Sequence, residues 1–523
     1  MTKNFRNIAV IGMSTLGSRV LGLVRDILIF AALGTSLWNS AFILAFTLPN
    51  LFRRLLGEGA LTSAVVPIFT DVLNRQGRAA AFQFFNQVLL RVSAMLLATV
   101  TGGIAVLFLL NEFDLLSGRW KLGAELSIIL LPYMIFICLA AVISAGLNVI
   151  GRFAAAALTP VLLNLAMIAA LSAGLLLHGE AKQIVYFLCV GVLLGGLLQL
   201  ALPAWDLIRQ GWRPKLVTER SEFMGQVWGL FLPGLMGAAI LQINILVSRL
   251  LAFSLDDSSV SVLYLASRLM ELPLGVFTIA VVTVFFPLLA SAVSNKDQAG
   301  FAASFNQGSR LILAISVPAG VGMLVLAKPI IELLFNWGSF SVDDVEATLP
   351  LLVIYAIGLP FYSMATFATR GLHARKDMVT PVRIAGLCLL TNALAGFFFM
   401  QFAGAAGLAA ANVLAAIIQS ALLWKGLSSS IDGIPIRGFL PAFLQIGSAA
   451  LIMALAVLAT RLLCNQVADF QSLKAMNGLV IACGVPVGAI TYIALLTLFR
   501  FKDMDELKKL IFRKVGKKEG MLL

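Results

Sequence analysis

The chain has 523 residues, 60% of them hydrophobic and 12% charged, with a formal net charge of +13. Soluble domains carry about 45–50% apolar and about 25% charged residues, so a water-facing globular fold is excluded. With a mean hydropathy of +0.98 and apolar runs recurring from end to end, the expected fold is an all-α integral membrane protein of about fourteen transmembrane helices.

In chain order, helical patterning predicts spans at 8–33, 37–70, 83–111, 124–150, 155–178, 183–208, 222–254, 260–293, 303–327, 350–374, 379–402, 405–427, 438–464 and 477–500. The short basic start leads directly into the first span with no small-residue cleavage site, so no removed signal peptide is expected. The second and eighth spans exceed one bilayer crossing and must tilt, bend or project. Alternate connections differ in Lys and Arg: one side holds Arg75, Arg78, Arg152, Arg209, Arg213, Lys215, Arg375 and Lys376, the other mainly Arg119, Lys121, Lys182 and Lys328. By the positive-inside rule both termini are cytoplasmic. The net charge is thus mainly topology, and nucleic acid is not an expected partner.

No GxxxxGK[ST] loop is present, which excludes a P-loop ATPase. The five cysteines form no CxxC pair, and His178 and His373 lack companion acids, so neither metal, cofactor nor enzyme chemistry is expected. After Phe501, Leu507, Leu510 and Ile511 share a helical face among lysines, which suits a helix lying on the anionic inner leaflet or a solvated tail.

Pro67 is matched by Pro287, Thr159-Pro160-Val161 by Thr380-Pro381-Val382, and Gln199 by Gln419, all at offsets of 220 or 221 residues. The common offset predicts a duplicated six-helix unit, 1–210 and 221–430, with both copies in the same orientation. Residues 431–500 add spans 13 and 14, and 501–523 form a basic cytoplasmic tail. Two such lobes make a central cleft and permit alternating access.

The first span holds Ser18, Gly22 and Arg25 on one stripe, with Arg19 beside it and Asp26 next in sequence. In the second, Asn50, Arg54 and Gly57 share a face, Arg53 flanks it, and Glu58 is four residues after Arg54, within pairing reach. In the eighth, Arg268 and Glu271 share a face. Each arginine near the bilayer centre costs about 2.5–3.5 kcal/mol, so these groups must face partners or a watery cavity. Asp26 and Glu58 neutralise at most two of four cations in the first two spans. The surplus favours an anionic ligand, with phosphate or diphosphate the best match to guanidinium forks. Structural ion pairs or snorkelling are the alternative. Pro49 and Pro273 mark bends.

The runs SRVLGLVRD (18–26), AFILAFTLPNLFRRLLGEGALTSAVVPIF (41–69), YLASRLMELPLGVF (264–277) and TPV (380–382) closely resemble the MurJ (MviN) family, the lipid II flippases of the multidrug/oligosaccharidyl-lipid/polysaccharide exporter superfamily. The resemblance implies a multi-pass protein of the bacterial plasma membrane. Its implied partners are lipid II, membrane lipids and other cell-wall synthesis proteins. It also implies a cationic cavity for the diphosphate-sugar-peptide headgroup and a groove along spans 13 and 14 for the polyprenyl tail. By position it assigns substrate binding to Ser18, Arg19, Arg25, Asn50, Arg53 and Arg268. Charge balance or gating falls to Asp26, Arg54, Glu58 and Glu271.

Two departures stand out: Ser40 and Ser267 occupy places where the family commonly carries acids, which puts in doubt any gate built on those acids. Some relatives bind sodium through an acid in the seventh span. None stands between Phe223 and Ala252 here, so that site is not expected. The competing function is export of another polyprenyl-diphosphate-linked oligosaccharide. A cation antiporter would favour acidic cavity residues, and a glycosyltransferase would need convergent acids on an external loop.

Overall fold

A computed structural model describes residues 3–218, 223–429, 439–467 and 472–507. Fifteen α-helices occur among them: α1 Lys3–Leu33, α2 Leu37–Phe52, α3 Leu61–Glu112, α4 Arg119–Leu130, α5 Tyr133–Val149, α6 Ala154–Leu176, α7 Ala181–Arg209, α8 Met224–Leu255, α9 Ser259–Pro273, α10 Ile279–Ser294, α11 Gln298–Phe335, α12 Val342–Ala374, α13 Val379–Ser428, α14 Leu440–Val467 and α15 Leu473–Leu498. No strand occurs among the described residues.

Ten helical runs are long and apolar enough to cross a membrane, eleven when α4 and α5, bent by 42°, count as one span. Two runs each hold two crossings, because Gly77 (φ +82°) and Gly404 (φ +53°) turn the backbone left-handed where side-chain-bearing residues are disfavoured. With α1, interrupted by its own charged stripe, the fourteen-span membrane architecture results.

The overlong second and eighth spans are accommodated by wide π-turns. Arg53–Ala60 follows α2, and Leu274–Thr278 follows α9. Pro49 and Pro273 lie in the preceding helices and withdraw a backbone donor. The turns begin 221 residues apart, at the offset of the sequence repeat.

The chain forms two compact units, Met1–Ser261 with Trp337–Asp344, and Val262–Asn336 with Val345–Leu523. The helix α8, which belongs by sequence to the second repeat, packs in the first unit against α2, α3 and the wide turn. Arg249 of α8 donates to the Ile43 carbonyl at 3.3 Å and to Thr47 Oγ1. In the first unit the core packs Phe69 against Phe85 at a 47° tilt and sets Trp212 edge-on to Phe85. In the second, Phe305 stacks on Phe367 with centroids 5.2 Å apart, and α14 and α15 pack on α11. Tyr492 of α15 donates to the Ala314 carbonyl at 2.8 Å.

The C-terminal segment departs from the surface-helix expectation. Phe501, Met504 and Leu507 are buried in the second unit's core, and Asp503 grips Arg310 of α11 with Nε–Oδ2 2.5 Å and Nη2–Oδ1 3.1 Å. Leu507 is therefore an anchor in protein rather than lipid; Leu510 and Ile511 lie outside the described residues. The cause is the turn after α15, which brings Asp503 back to a buried cation.

Candidate cationic site

Over residues 17–33 the apolar run of α1 is interrupted by four polar positions, Ser18, Arg19, Arg25 and Asp26. Ser18 is half-buried and Arg19 exposed, whereas Arg25 and Asp26 are 8% and 2% exposed. Arg25 donates through Nε at 3.1 Å and Nη2 at 2.6 Å to Asp26 Oδ1. Its Nη1 donates to Asn164 Oδ1 of α6 at 3.0 Å, with Met167 Sδ 3.8 Å away. The Asn164 amide donates in turn to the Ser18 carbonyl at 3.0 Å. Ser18 and Arg25 are thus tied to one residue of α6, and Asp26 joins them through Arg25.

The second stretch does not keep the α-helical face expected of it. A π-turn needs more residues per turn than an α-helix, so Asn50, Arg54 and Gly57 no longer stack. Asn50 is half-buried and donates to the Phe46 carbonyl at 3.0 Å; Arg53 is half-buried, and Arg54 is exposed. The side chain of Glu58 lies outside the described residues, and with it the expected Arg54–Glu58 pair. Gly59 permits the turn to close, since a Cβ there would meet the Arg54 carbonyl oxygen at 2.8 Å. Neither Arg19 nor Arg54 has an ion-pair partner among the described residues.

In the second unit, Arg268 and Glu271 form an i,i+3 pair at 3.3 Å, with side chains 34% and 51% exposed. Such accessible pairs hold weakly and can exchange partners. Ser267 turns back onto the Tyr264 carbonyl at 2.8 Å, and Ser40 donates to the Asp257 carbonyl at 2.6 Å. Both serines that stand where the family commonly carries acids therefore donate to backbone carbonyls.

Chemically, the first unit offers Arg25, fixed and buried, with Arg19 and Arg54 exposed, and the second unit offers Arg268 in an accessible pair. An exposed guanidinium or an accessible pair can bind an anion electrostatically. Asn164 was missed by sequence reasoning, although a lone amide within the apolar run TPVLLNLAM was its signal. Arg249 ties α8 to α2 through the Ile43 carbonyl and Thr47.

The model of the family described as "Lipid II flippase MurJ" matches residues 29–501. A probable lipid II flippase MurJ of Vibrio cholerae is 34% identical over 432 residues, covering 80% of this chain and 82% of the relative. The lipid II flippase MurJ of Burkholderia cenocepacia is 31% identical, covering 86% and 89%. A solved structure, a lipid II flippase MurJ in an inward closed conformation, superposes with TM-score 0.78 at 27% identity, over 95% of this chain and all of that one. On the family match and the identity with these relatives, the chain belongs to the MurJ family of lipid II flippases.

Proposed function

We propose that this protein is a flippase that carries lipid II, the polyprenyl-diphosphate-linked peptidoglycan precursor, from the inner to the outer leaflet of the bacterial plasma membrane by alternating access. It is a transporter, not an enzyme. The observation that carries the reading, beside family membership, is the retention of arginines in spans that otherwise exclude charge. Arg19, Arg53 and Arg268 bind diphosphate oxygens as several moderate contacts, because cargo must also be released. Asn50 and Ser18 add neutral polar contacts, while Asp26, Glu58 and Glu271 limit the surplus charge. Arg25 contributes from its buried pair by fixing α1 and the local positive field.

Both termini face the cytoplasm, as the Lys and Arg distribution supports, and the cell-wall synthesis proteins that use translocated precursor are the natural partners. The deciding experiment is depletion in the host with analysis of lipid-linked intermediates. Inner-leaflet accumulation of the peptidoglycan precursor is expected. Accumulation of a different glycan carrier, with that precursor still translocated, would overturn the reading.

A further inference from the structure

Asn164 is 5% exposed in the middle of an apolar helix. A buried amide is tolerated only when its donor and acceptor ends are both satisfied. Both ends here are used on the same neighbouring helix, at two stations on α1. Oδ1 accepts from Arg25 Nη1 and Nδ2 donates to the Ser18 carbonyl, each at 3.0 Å. The stations lie two helical turns apart and bracket Arg19.

The geometry at Arg25 explains why a second helix is needed. Adjacent residues on a helix do not face each other, so Arg25 must curl back to reach Asp26. Asp26 takes Nε and Nη2 with a single carboxylate oxygen, leaving Nη1 to another acceptor. Asn164 supplies it from α6. The guanidinium plane is then defined by acceptors on two helices rather than by one flexible neighbour. At the repeat offset of 221 residues the equivalent position is Ala385, so the second repeat has no such amide.

We infer that Asn164 is a positioning residue for the cationic site, a two-ended clamp that fixes the Arg25 guanidinium and the Ser18–Arg25 stretch of α1 against α6 so that Arg19 is presented to the diphosphate. The inference rests on the flippase reading. It makes Asn164 a determinant of substrate affinity although it need not touch substrate. Its two arms are separable by chemistry. An aspartate at 164 still accepts from Arg25 but cannot donate to the Ser18 carbonyl, and a serine is too short for either.

The test uses full-length protein in proteoliposomes and a fluorescent polyprenyl-diphosphate-disaccharide-pentapeptide, with rates normalised to folded, inserted protein. Asn164→Ser should raise the half-saturating probe concentration about tenfold, the scale of one charge-assisted hydrogen bond. Asn164→Asp should stay within about threefold of the wild type. Arg25→Met and Arg25→Met with Asn164→Ser should differ in half-saturation by no more than about threefold, because only the Ser18 arm of the clamp remains to be lost. A residue that serves packing alone would lower protein abundance and maximal rate in both Asn164 variants with half-saturation unmoved, and that result overturns the inference. Probe binding followed by anisotropy in detergent reads the same affinities without transport. A wild type that neither binds nor flips the probe refutes the functional reading; a wild type that does, alongside unshifted Asn164→Ser, refutes the clamp.

Discussion

Ser40 and Ser261 are 221 residues apart in sequence, and their buried Oγ atoms lie 2.9 Å from each other. That separation equals the offset of the two Thr-Pro-Val steps, so each serine meets its own repeat equivalent. Ser40 also donates to the Asp257 carbonyl, which leaves its oxygen to accept from Ser261. Both residues stand near the first turn of their helices, α2 and α9.

Restoring the acid common in the family should break this contact. In Ser40→Asp the ionised side chain has no proton for the Asp257 carbonyl, and oxygen faces oxygen. The expected loss is about 1–3 kcal/mol of stability, larger than for Ser40→Ala. Thermal midpoints in detergent at neutral pH check it; an aspartate variant more stable than the alanine variant would show that the acid fits.

At the cationic site, charge and geometry make different demands. Alanine at Arg19, Arg53 or Arg268 should impair translocation while leaving insertion intact, since removing an intramembrane charge eases insertion. Lysine should rescue partly where a point charge suffices and poorly where two phosphate oxygens are gripped together. Glutamate should abolish transport. Complementation with membrane abundance measured for each variant is the check. Three abundant, fully active alanine variants would refute the anion-binding proposal.

Truncation separates the two parts of the C-terminal segment. A chain ending after Leu507 keeps the Arg310–Asp503 pair and the buried Met504 and Leu507, and should complement normally. A chain ending after Lys502 leaves Arg310, with a side chain only 16% exposed, without its carboxylate. Breaking such a pair costs about 3–5 kcal/mol, so the shorter chain should fall in abundance. Equal abundance of both would show that the pair contributes nothing.

The segment Trp337–Asp344 caps the end of α1. Ser339 N–H donates to the Ala31 carbonyl at 2.7 Å, its hydroxyl reaches the Ala32 carbonyl at 3.1 Å, and Thr35 bonds Asp344. Phe340 meets Phe30 edge to face at 5.7 Å, and each is 1% exposed. Phe340→Ala should therefore destabilise by about 3–5 kcal/mol, and Phe340→Leu by less. Thermal unfolding in detergent measures both; an unchanged alanine variant would show that the cap is not part of the stable fold.

Asp256, between α8 and α9, gives a pH dependence of defined sign. Burial pushes its carboxyl pKa up, but hydroxyl and backbone donors from Ser259 and Ser258 outweigh this and hold it below the ordinary carboxylate value. The folded state thus favours the ionised form. The resulting stabilisation is complete above the unfolded-state pKa and is lost as pH falls through the folded one. The midpoint difference between wild type and Asp256→Asn should be largest near neutrality and shrink below about pH 4. A difference constant down to pH 3 would remove the assignment.

The spans, their approximate ends and the polar residues kept within them could be read from sequence. A bilayer imposes a minimum apolar length and forces backbone groups into helices, so composition and spacing report the architecture directly. The prolines at 49 and 273 marked where helices bend, yet the π-turns that rotate Arg54 off its expected face depend on packing around them. What tertiary structure decided was partnership. Arg25 finds Asn164 139 residues away, Ser40 finds Ser261, and Asp503 finds Arg310 across 193 residues. Leu507 joined a protein core rather than lipid for the same reason. Helical periodicity specifies which way a side chain leaves its own axis; which neighbouring helix stands there is set by the packing of the whole unit.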